Sequence, residues 1–164
     1  MKELTTERLV FSKWSEENYS DAVKLWGNSE VIKYISARPM DIKKRFDTEV
    51  ENYQKYKVQY FPIYMKEDGS FAGCCGLRKH SERVMELGFH LLPEYWRKGL
   101  AYEAASAVIE YAFDNLDIDG IFAGHNPNNS ASAELLKKLG FVKTGDEFYK
   151  PTGLYHPSYF LKRQ

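Results

Sequence analysis

The sequence predicts an α+β domain in which one mixed sheet carries helices on both faces. Three observations predict it. Apolar residues recur at helical spacing up to about residue 57, and from Val58 the pattern changes to strand-like segments joined by turn residues. After residue 83 strand and helix patterns alternate. Third, no Pro-, Gly- or Ser-rich linker interrupts the 164 residues, so a single domain over 1–164 is expected. A chain of this length buries roughly 70% of the surface its unfolded form exposes, enough to hold a core unaided.

Each element has a local cause. Residues 8–14 mix apolar and polar side chains like a half-buried strand. Ser15 suits an N-cap, with Glu16 and Glu17 in the favourable first turn of a helix. That helix is expected to bury Ala22, Val23, Leu25 and Trp26 and to stop near Gly27. After Pro39 a second helical stretch puts Ile42, Phe46, Val50 and Tyr53 on one stripe, with Lys43, Lys44, Arg45 and Glu49 facing out. Strands over 58–66 and 70–77 are joined by Glu67-Asp68-Gly69, a good hairpin turn. Pro62 predicts an edge or a bulge in the first of them. A strand from Arg83 to Leu92 ends at Pro93. Residues 100–115 carry a wide helical stripe (Leu100, Ala104, Val108, Ala112, with Ala101, Ala105, Ile109 and Phe113 beside it). A short strand over 118–125 and a helix over 131–139 follow, the helix entered through Asn129-Ser130 and closed by Gly140. Two strands joined by a helix are most simply parallel, with a right-handed crossover. Residues 141–149 and 155–162 finish as an antiparallel pair.

Composition narrows the function. Hydrophobic residues make up 43% and charged residues 28%, which excludes a disordered or fibrous chain. The 23 basic side chains match the 23 acidic ones, so no broad field draws in nucleic acid or an anionic membrane. No uncharged apolar run approaches the ~20 residues of a spanning helix, and the charged start from Met1 to Val10 lacks a signal-peptide core. A cytoplasmic location is expected. Cys74 and Cys75 are adjacent, so in a strand they point to opposite faces. They read as reduced core residues, not as a disulfide or metal pair. His80, His90, His125 and His156 are dispersed without a metal-binding motif, and no metal is expected. Nor is there a Gly-x-Ser-x-Gly nucleophile elbow.

The segment whose residue types point to chemistry runs from Glu82 to Glu103. If 84–92 is a regular strand, Val84, Glu86, Gly88, His90 and Leu92 share one face, and Met85, Leu87, Phe89 and Leu91 the other. The second face is uniformly apolar and fit to pack under helices. A carboxylate and an imidazole on the first face need water, an ion pair or a ligand nearby. Directly after it come Arg97, Lys98, Gly99, Leu100 and Ala101, running into the long helix. A helix N-terminus leaves backbone N–H groups unpaired and carries partial positive charge, so it attracts phosphate. Gly99 permits positive φ there, and small Ala101 permits close approach of an anion. The segment lacks the glycine patterns of dinucleotide and nucleotide-triphosphate loops.

LGFHLLPEYWRKGLAYEA, followed by NPNNSASAELLKKLGF, resembles the GNAT superfamily of acetyl-CoA-dependent N-acetyltransferases. Within it the chain is similar to the branch named for ribosomal-protein N-terminal acetyltransferases. The resemblance rests on Thr6-Glu7-Arg8-Leu9, Glu86-Leu87-Gly88-Phe89, Pro93 to Gly99, and Asn129 and Ser132 before Leu139-Gly140-Phe141. It covers essentially the whole chain and is strongest from Glu86 to Phe141. It implies a three-layer α/β/α fold with a mixed, mostly antiparallel sheet of about six or seven strands. That sheet would be splayed between the strand from Arg83 to Leu92 and the strand from Ile118 to His125. It also implies that the amides of Arg97, Lys98, Gly99, Leu100, Ala101 and Tyr102 bind the pyrophosphate of coenzyme A. The pantetheine arm would lie in the splay beside Leu91 and Leu92, held further by Asn129 and Ser132. Trp96 stands where the wider superfamily favours Gln or Arg, as is usual in this branch.

The implied reaction is direct acetyl transfer from acetyl-CoA to a primary amine, on a protein N-terminus or a small molecule. An N-terminal amine has a pKa of roughly 7.7 to 8.0 and a lysine about 10.4, so a base must take the proton. Glu86 matches the family's carboxylate and is expected to act directly or through water. His90 is the second choice of base, with a buried, hydrogen-bonded structural role as its alternative. A backbone N–H near Leu91 or Leu92 would stabilise the oxyanion. Many superfamily members place an acidic tyrosine where Leu136 stands here, and leucine cannot donate a proton. Tyr149 and Tyr155 are then the candidate acids, and ordered water would also serve. The alternative function is an acetyl-CoA-binding sensor without turnover. Specificity is expected from residues 21–57, 78–83 and 149–157, in a monomer or homodimer.

Overall fold

Seven strands form one sheet in the computed structural model, which describes residues 4–164. Residues 1–3 of the charged N-terminus lie outside the described residues. The strands are β1 (Leu9–Phe11), β2 (Tyr60–Met65), β3 (Phe71–Ser81), β4 (Val84–Leu91), β5 (Gly120–Gly124), β6 (Val142–Tyr149) and β7 (Leu154–Lys162). The helices are α1 (Tyr19–Trp26), α2 (Ser29–Ile32), α3 (Ile42–Tyr56), α4 (Leu100–Asn115) and α5 (Ser130–Lys138). Sheet order is β1-β2-β3-β4-β5-β7-β6, and every neighbouring pair is antiparallel except β4 and β5. The expected mixed, mostly antiparallel sheet is therefore present, with its one parallel pair across α4. Among the described residues no helix is long and apolar enough to cross a membrane.

Two apolar clusters cover the two faces. One joins α4 and Leu136 of α5 to Leu77, Leu87 and Ile121 of the sheet. The other joins Trp14, Leu25, Trp26 and Phe46 to Tyr60, Phe71 and Cys74. Cys74 and Cys75 are free, fully buried and divided between the two clusters, as alternation along β3 requires. Burial pushes the Cys74 thiol up to about 12. Ser15 opens the first helical segment through its N–H, which donates to Asn18 Oδ1 at 2.8 Å. Asn28 caps α2 and Asp41 caps α3 with their side chains. Gly69 turns the β2–β3 hairpin at φ 75°, and the register shifts between Ile63 and Tyr64, next to Pro62.

Two expectations about helix faces are corrected. Val23 is 43% exposed, because Ala22, Leu25 and Trp26 already fill the inward arc of α1 and residue 23 falls beyond its edge. Glu49 is fully buried, and the Arg45 side chain is only 14% exposed. The helical period explains this: position 49 lies three residues after Phe46 and four before Tyr53, within the inward stripe. Its charge is met there. Glu49 Oε1 accepts the Tyr60 N–H at 2.7 Å, and Arg45 Nη2 lies 3.0 Å from Oε2. Gln59, also buried, completes the joint by donating to the Glu49 carbonyl at 2.9 Å and accepting the Trp14 N–H at 2.9 Å.

Arg163, just beyond β7, closes the end of α4. Its guanidinium donates to the carbonyls of Ile118 at 2.6 Å, Phe113 at 2.8 Å and Leu116 at 2.7 Å. The Phe113 carbonyl, in the last turn of α4, has no partner within the helix, so the cation satisfies it and complements the helix dipole. Arg163→Ala should therefore lower the unfolding free energy by about 2 kcal/mol, read as a reduced urea midpoint at unchanged slope.

Candidate active site

The parallel pairing of β4 and β5 stops early. Its registered pairs are Val84 with Gly120, Met85 with Ile121 and Glu86 with Phe122. Beyond them β4 runs on to Leu91 and β5 to Gly124, so the two strands part. A cleft of about 890 Å³ opens there, reaching from the start of α4 and α5 to Tyr60, Arg78 and Tyr149. The Leu92 N–H donates to the Ala72 carbonyl at 2.9 Å. By alternation, Gly88 and His90 also turn their backbone groups to β3, while Phe89 and Leu91 turn theirs to the cleft. Leu92 is therefore corrected as a donor: its amide is used within the sheet and its side chain is buried among Trp14 and Tyr95. Leu91 keeps its N–H on the open side, and its carbonyl accepts the Trp96 indole N–H at 2.8 Å.

At the mouth of the cleft a run of backbone amides is left unpaired among the described residues. Arg97 at φ 59° and Gly99 at φ 75° curl the backbone into α4. Among the described residues, the amides of Arg97, Lys98, Gly99, Leu100, Ala101 and Tyr102 have no hydrogen-bond acceptor. The first bond of the helix is Glu103 N–H to the Gly99 carbonyl at 3.1 Å. Residues at the N-terminus brace this turn. Arg8 Nη1 donates to the Lys98 carbonyl at 2.9 Å, and Arg8 Nε pairs with Glu103 Oε1 at 2.8 Å. Thr6 Oγ1 donates to Glu103 Oε2 at 2.5 Å. Partial burial opposes the charge on Glu103, but the bonds from Thr6 and Arg8 outweigh it and hold the carboxyl below its usual range. Across the cleft, Asn129 caps α5 by accepting the Ser132 N–H at 3.2 Å. Asn126, which sequence reasoning passed over, is buried at the end of β5 and accepts the Asn128 N–H at 2.9 Å.

Deeper in, the polar face of β4 meets β2 and β3. Glu86 lies in register with Arg78 of β3, so the two side chains share a face. Gly88 leaves room for Tyr60, since a Cβ there would stand 2.2 Å from the tyrosine ring. Burial, with Glu86 adding to it against the pull of Arg78, raises the Tyr60 phenol well above its ordinary pKa and keeps it protonated. His90 Nδ1 accepts the Trp26 indole N–H at 3.2 Å. Since indole only donates, the imidazole proton resides on Nε2. Burial first, then Arg45 and Arg78, push the His90 pKa well down, so the ring stays neutral. The structural role expected as the alternative for His90 is what these contacts give it.

The candidate acids separate cleanly. Tyr149 lines the cleft with its ring 4.5 Å from that of His156. Tyr155 is corrected: it pairs in register with Phe148, is 66% exposed and stacks edge-on with Phe148 at 5.5 Å. Parity along β7 puts it on the face opposite His156. Leu136 is buried in the core beneath α5. The sequence reading missed Tyr60 and Arg45 as cleft residues and Glu49 as the buried carboxylate behind them. The helical position of Glu49 was the available signal for the last two, whereas nothing local marked Tyr60.

Comparison with known proteins agrees with this geometry. Residues 8–142 match the family described as the acetyltransferase (GNAT) domain. An uncharacterized N-acetyltransferase, p20 of Bacillus licheniformis, is 32% identical over 151 residues, covering 88% of this chain and 85% of that protein. The [ribosomal protein uS5]-alanine N-acetyltransferase of Escherichia coli (strain K12) is 30% identical over 89 residues, 52% of this chain and 46% of that protein. Among solved structures, a GNAT-family acetyltransferase from Bacillus anthracis superposes with a TM-score of 0.82 at 22% identity, covering 98% of each chain. The family match over most of the chain and the identity to p20 show that this chain belongs to the GNAT acetyltransferase family.

Proposed function

We propose that this protein transfers an acetyl group from acetyl-CoA directly to a primary amine, with Glu86 as general base. The observation that carries the reading is a single juxtaposition. Glu86 sits at the last rung where β4 and β5 pair, on the cleft that the free amides of 97–102 open into. Those amides, at a helix N-terminus, suit a diphosphate, and Arg97 and Lys98 add charge at that end. Coenzyme A would lie there, with its arm between the parted strands, and it would supply the activated acetyl thioester. The resemblance to ribosomal-protein N-terminal acetyltransferases keeps a protein N-terminus among the acceptor classes, and small amines remain beside it.

The chain's own groups divide the remaining work. Glu86 takes the proton that an ammonium must lose before its nitrogen can attack. The Leu91 N–H, which alternation turns to the cleft side beyond the last β4–β5 pair, is the donor for negative charge that develops on the acyl oxygen. Tyr149 protonates the departing sulfur, because it is the tyrosine of the tail that lines the cleft. His90 is not a base in this scheme: its one lone pair is engaged by Trp26 and its ring resists protonation.

Four variants test the scheme. Glu86→Gln should bind acetyl-CoA as the wild type does in calorimetry and lose kcat by about 100-fold, most at low pH where more of the amine arrives protonated. Unchanged turnover at every pH would reject Glu86 as base. Tyr149→Phe should lower kcat by about tenfold while Tyr155→Phe leaves it unaltered, and the reverse order would reject the assignment. Arg8→Ala loosens the brace on the Lys98 carbonyl and should raise the acetyl-CoA Kd by about fivefold with little effect on kcat at saturation. If acetyl-CoA binds tightly yet no amine yields free thiol, the protein is a sensor instead.

A further inference from the structure

Two guanidinium groups enter the cleft beside Glu86 and share one carboxylate. Arg45 and Arg78 both line the cleft. Arg45 Nη2 lies 3.0 Å from Glu49 Oε2, and Arg78 Nη2 lies 4.0 Å from that same oxygen. Both cations also lie over the ring of Tyr60, 5.0 Å and 4.7 Å from its centroid. Glu49 is fully buried behind them, and its other oxygen is committed to the Tyr60 amide. One carboxylate thus faces two cations.

Their donors are also unmatched. The Arg45–Glu49 contact is an ion pair without hydrogen-bond alignment: Arg45 Nε and Nη2, Arg78 Nε and Glu49 Oε2 are buried with no hydrogen-bond partner among the described residues. Glu86, in register with Arg78, does not come within ion-pair distance of it. In the proposed reaction Glu86 becomes neutral when it takes the amine's proton, which leaves the pair of guanidinia still less compensated. Cations this far out of water, with hydrogen bonds unmade, are costly unless an anion meets them from the cleft side. A carboxylate fits this need, being planar and able to accept two parallel N–H bonds from a guanidinium fork. A polyamine brings only like charge and no acceptor atoms.

We infer that the acceptor is an amine that also carries a carboxylate, and that Arg45 and Arg78 bind this carboxylate and so select the substrate. The inference rests on the proposed transfer for the position of the amine, with Glu86 receiving its proton. The carboxylate has two possible sources: the α-carboxylate of a free amino acid, or the acidic side chain at a peptide N-terminus. Either places an anion within a few bonds of the nitrogen. Basic acceptors are disfavoured by the same two residues.

Binding can be read without turnover. Titration calorimetry on the coenzyme A-loaded protein would compare N-acetyl amino acids with their amides, and acetylated peptides beginning with Asp or Glu with those beginning with Asn or Gln. The acidic member of at least one pair should bind about tenfold tighter, and which pair responds identifies the source. Arg78→Met should abolish that preference and leave the coenzyme A Kd unchanged. Should Arg78→Met lose coenzyme A binding through misfolding, the wild-type pairs and Arg45→Lys decide the matter. Equal binding within both pairs, or a preference that survives Arg78→Met in folded protein, overturns the inference. Acid preference without thiol release from any amine would instead sink the proposed transfer and leave carboxylate recognition standing. Turnover of spermidine above every acidic amine would do the opposite.

Discussion

The site depends on where two parallel strands stop pairing. As long as β4 and β5 exchange hydrogen bonds, the sheet is closed and no thin ligand can enter it. The last shared rung is Glu86 with Phe122, and five more residues of β4 continue past it. Backbone groups released in this way must find partners, since buried unpaired amides are expensive. Leu91 shows how the chain answers in part: its carbonyl is covered by the Trp96 indole, while its N–H stays open. The same departure of strands lets α4 begin beside the gap, so the free amides of the helix start and those of the strand edge face one volume. Arg8 and Thr6, from the other end of the sequence, hold that helix start in place through Glu103 and the Lys98 carbonyl.

Much of this was legible because it follows from period and punctuation. The β4 face of Glu86, Gly88 and His90 is read from alternation alone, and Cys74 and Cys75 divide between two cores for the same reason. The bounds of α4 agree with its stripe from Leu100 to Asn115. What was lost depended on parity or on pairing across the fold. Leu91 and Leu92 differ by one residue, yet only one amide faces the gap, and this is decided by the Ala72 carbonyl on a neighbouring strand. Tyr149 and Tyr155 lie on opposite faces of one hairpin, which requires the register set by Glu147 with His156. No local pattern states that register.

Glu49 was misplaced for a different reason. Its charge argued for solvent, while its position on α3 argued for the interior, and position prevailed because partners were waiting. The Tyr60 amide and Arg45 both meet the carboxylate, so burial does not leave it bare. The joint is useful beyond stability. It fixes the start of β2, where Tyr60 stands, and holds two guanidinia toward the cleft from the wall opposite α4. A helix face that composition marks as solvated has become part of the lining.

The imidazole of His90 illustrates how neighbours, more than residue type, assign a role. Taken alone, a histidine two residues past Gly88 on the Glu86 face is a plausible base. Its ordinary pKa lies nearer neutrality than that of a carboxyl, which favours it on chemical grounds. In place, however, it is encircled by Trp26, Cys74, Tyr60, Arg45 and Arg78. The indole N–H occupies its lone pair, and the two guanidinia oppose any positive charge on the ring. Proton acceptance at that position would have to break one interaction and create a third cation beside two others. Among the described residues no indole occupies the Glu86 carboxylate, and a proton taken there makes a neutral acid, not a third cation. The charge pattern around His90 therefore keeps its ring neutral and gives it a structural place in the wall of the cleft.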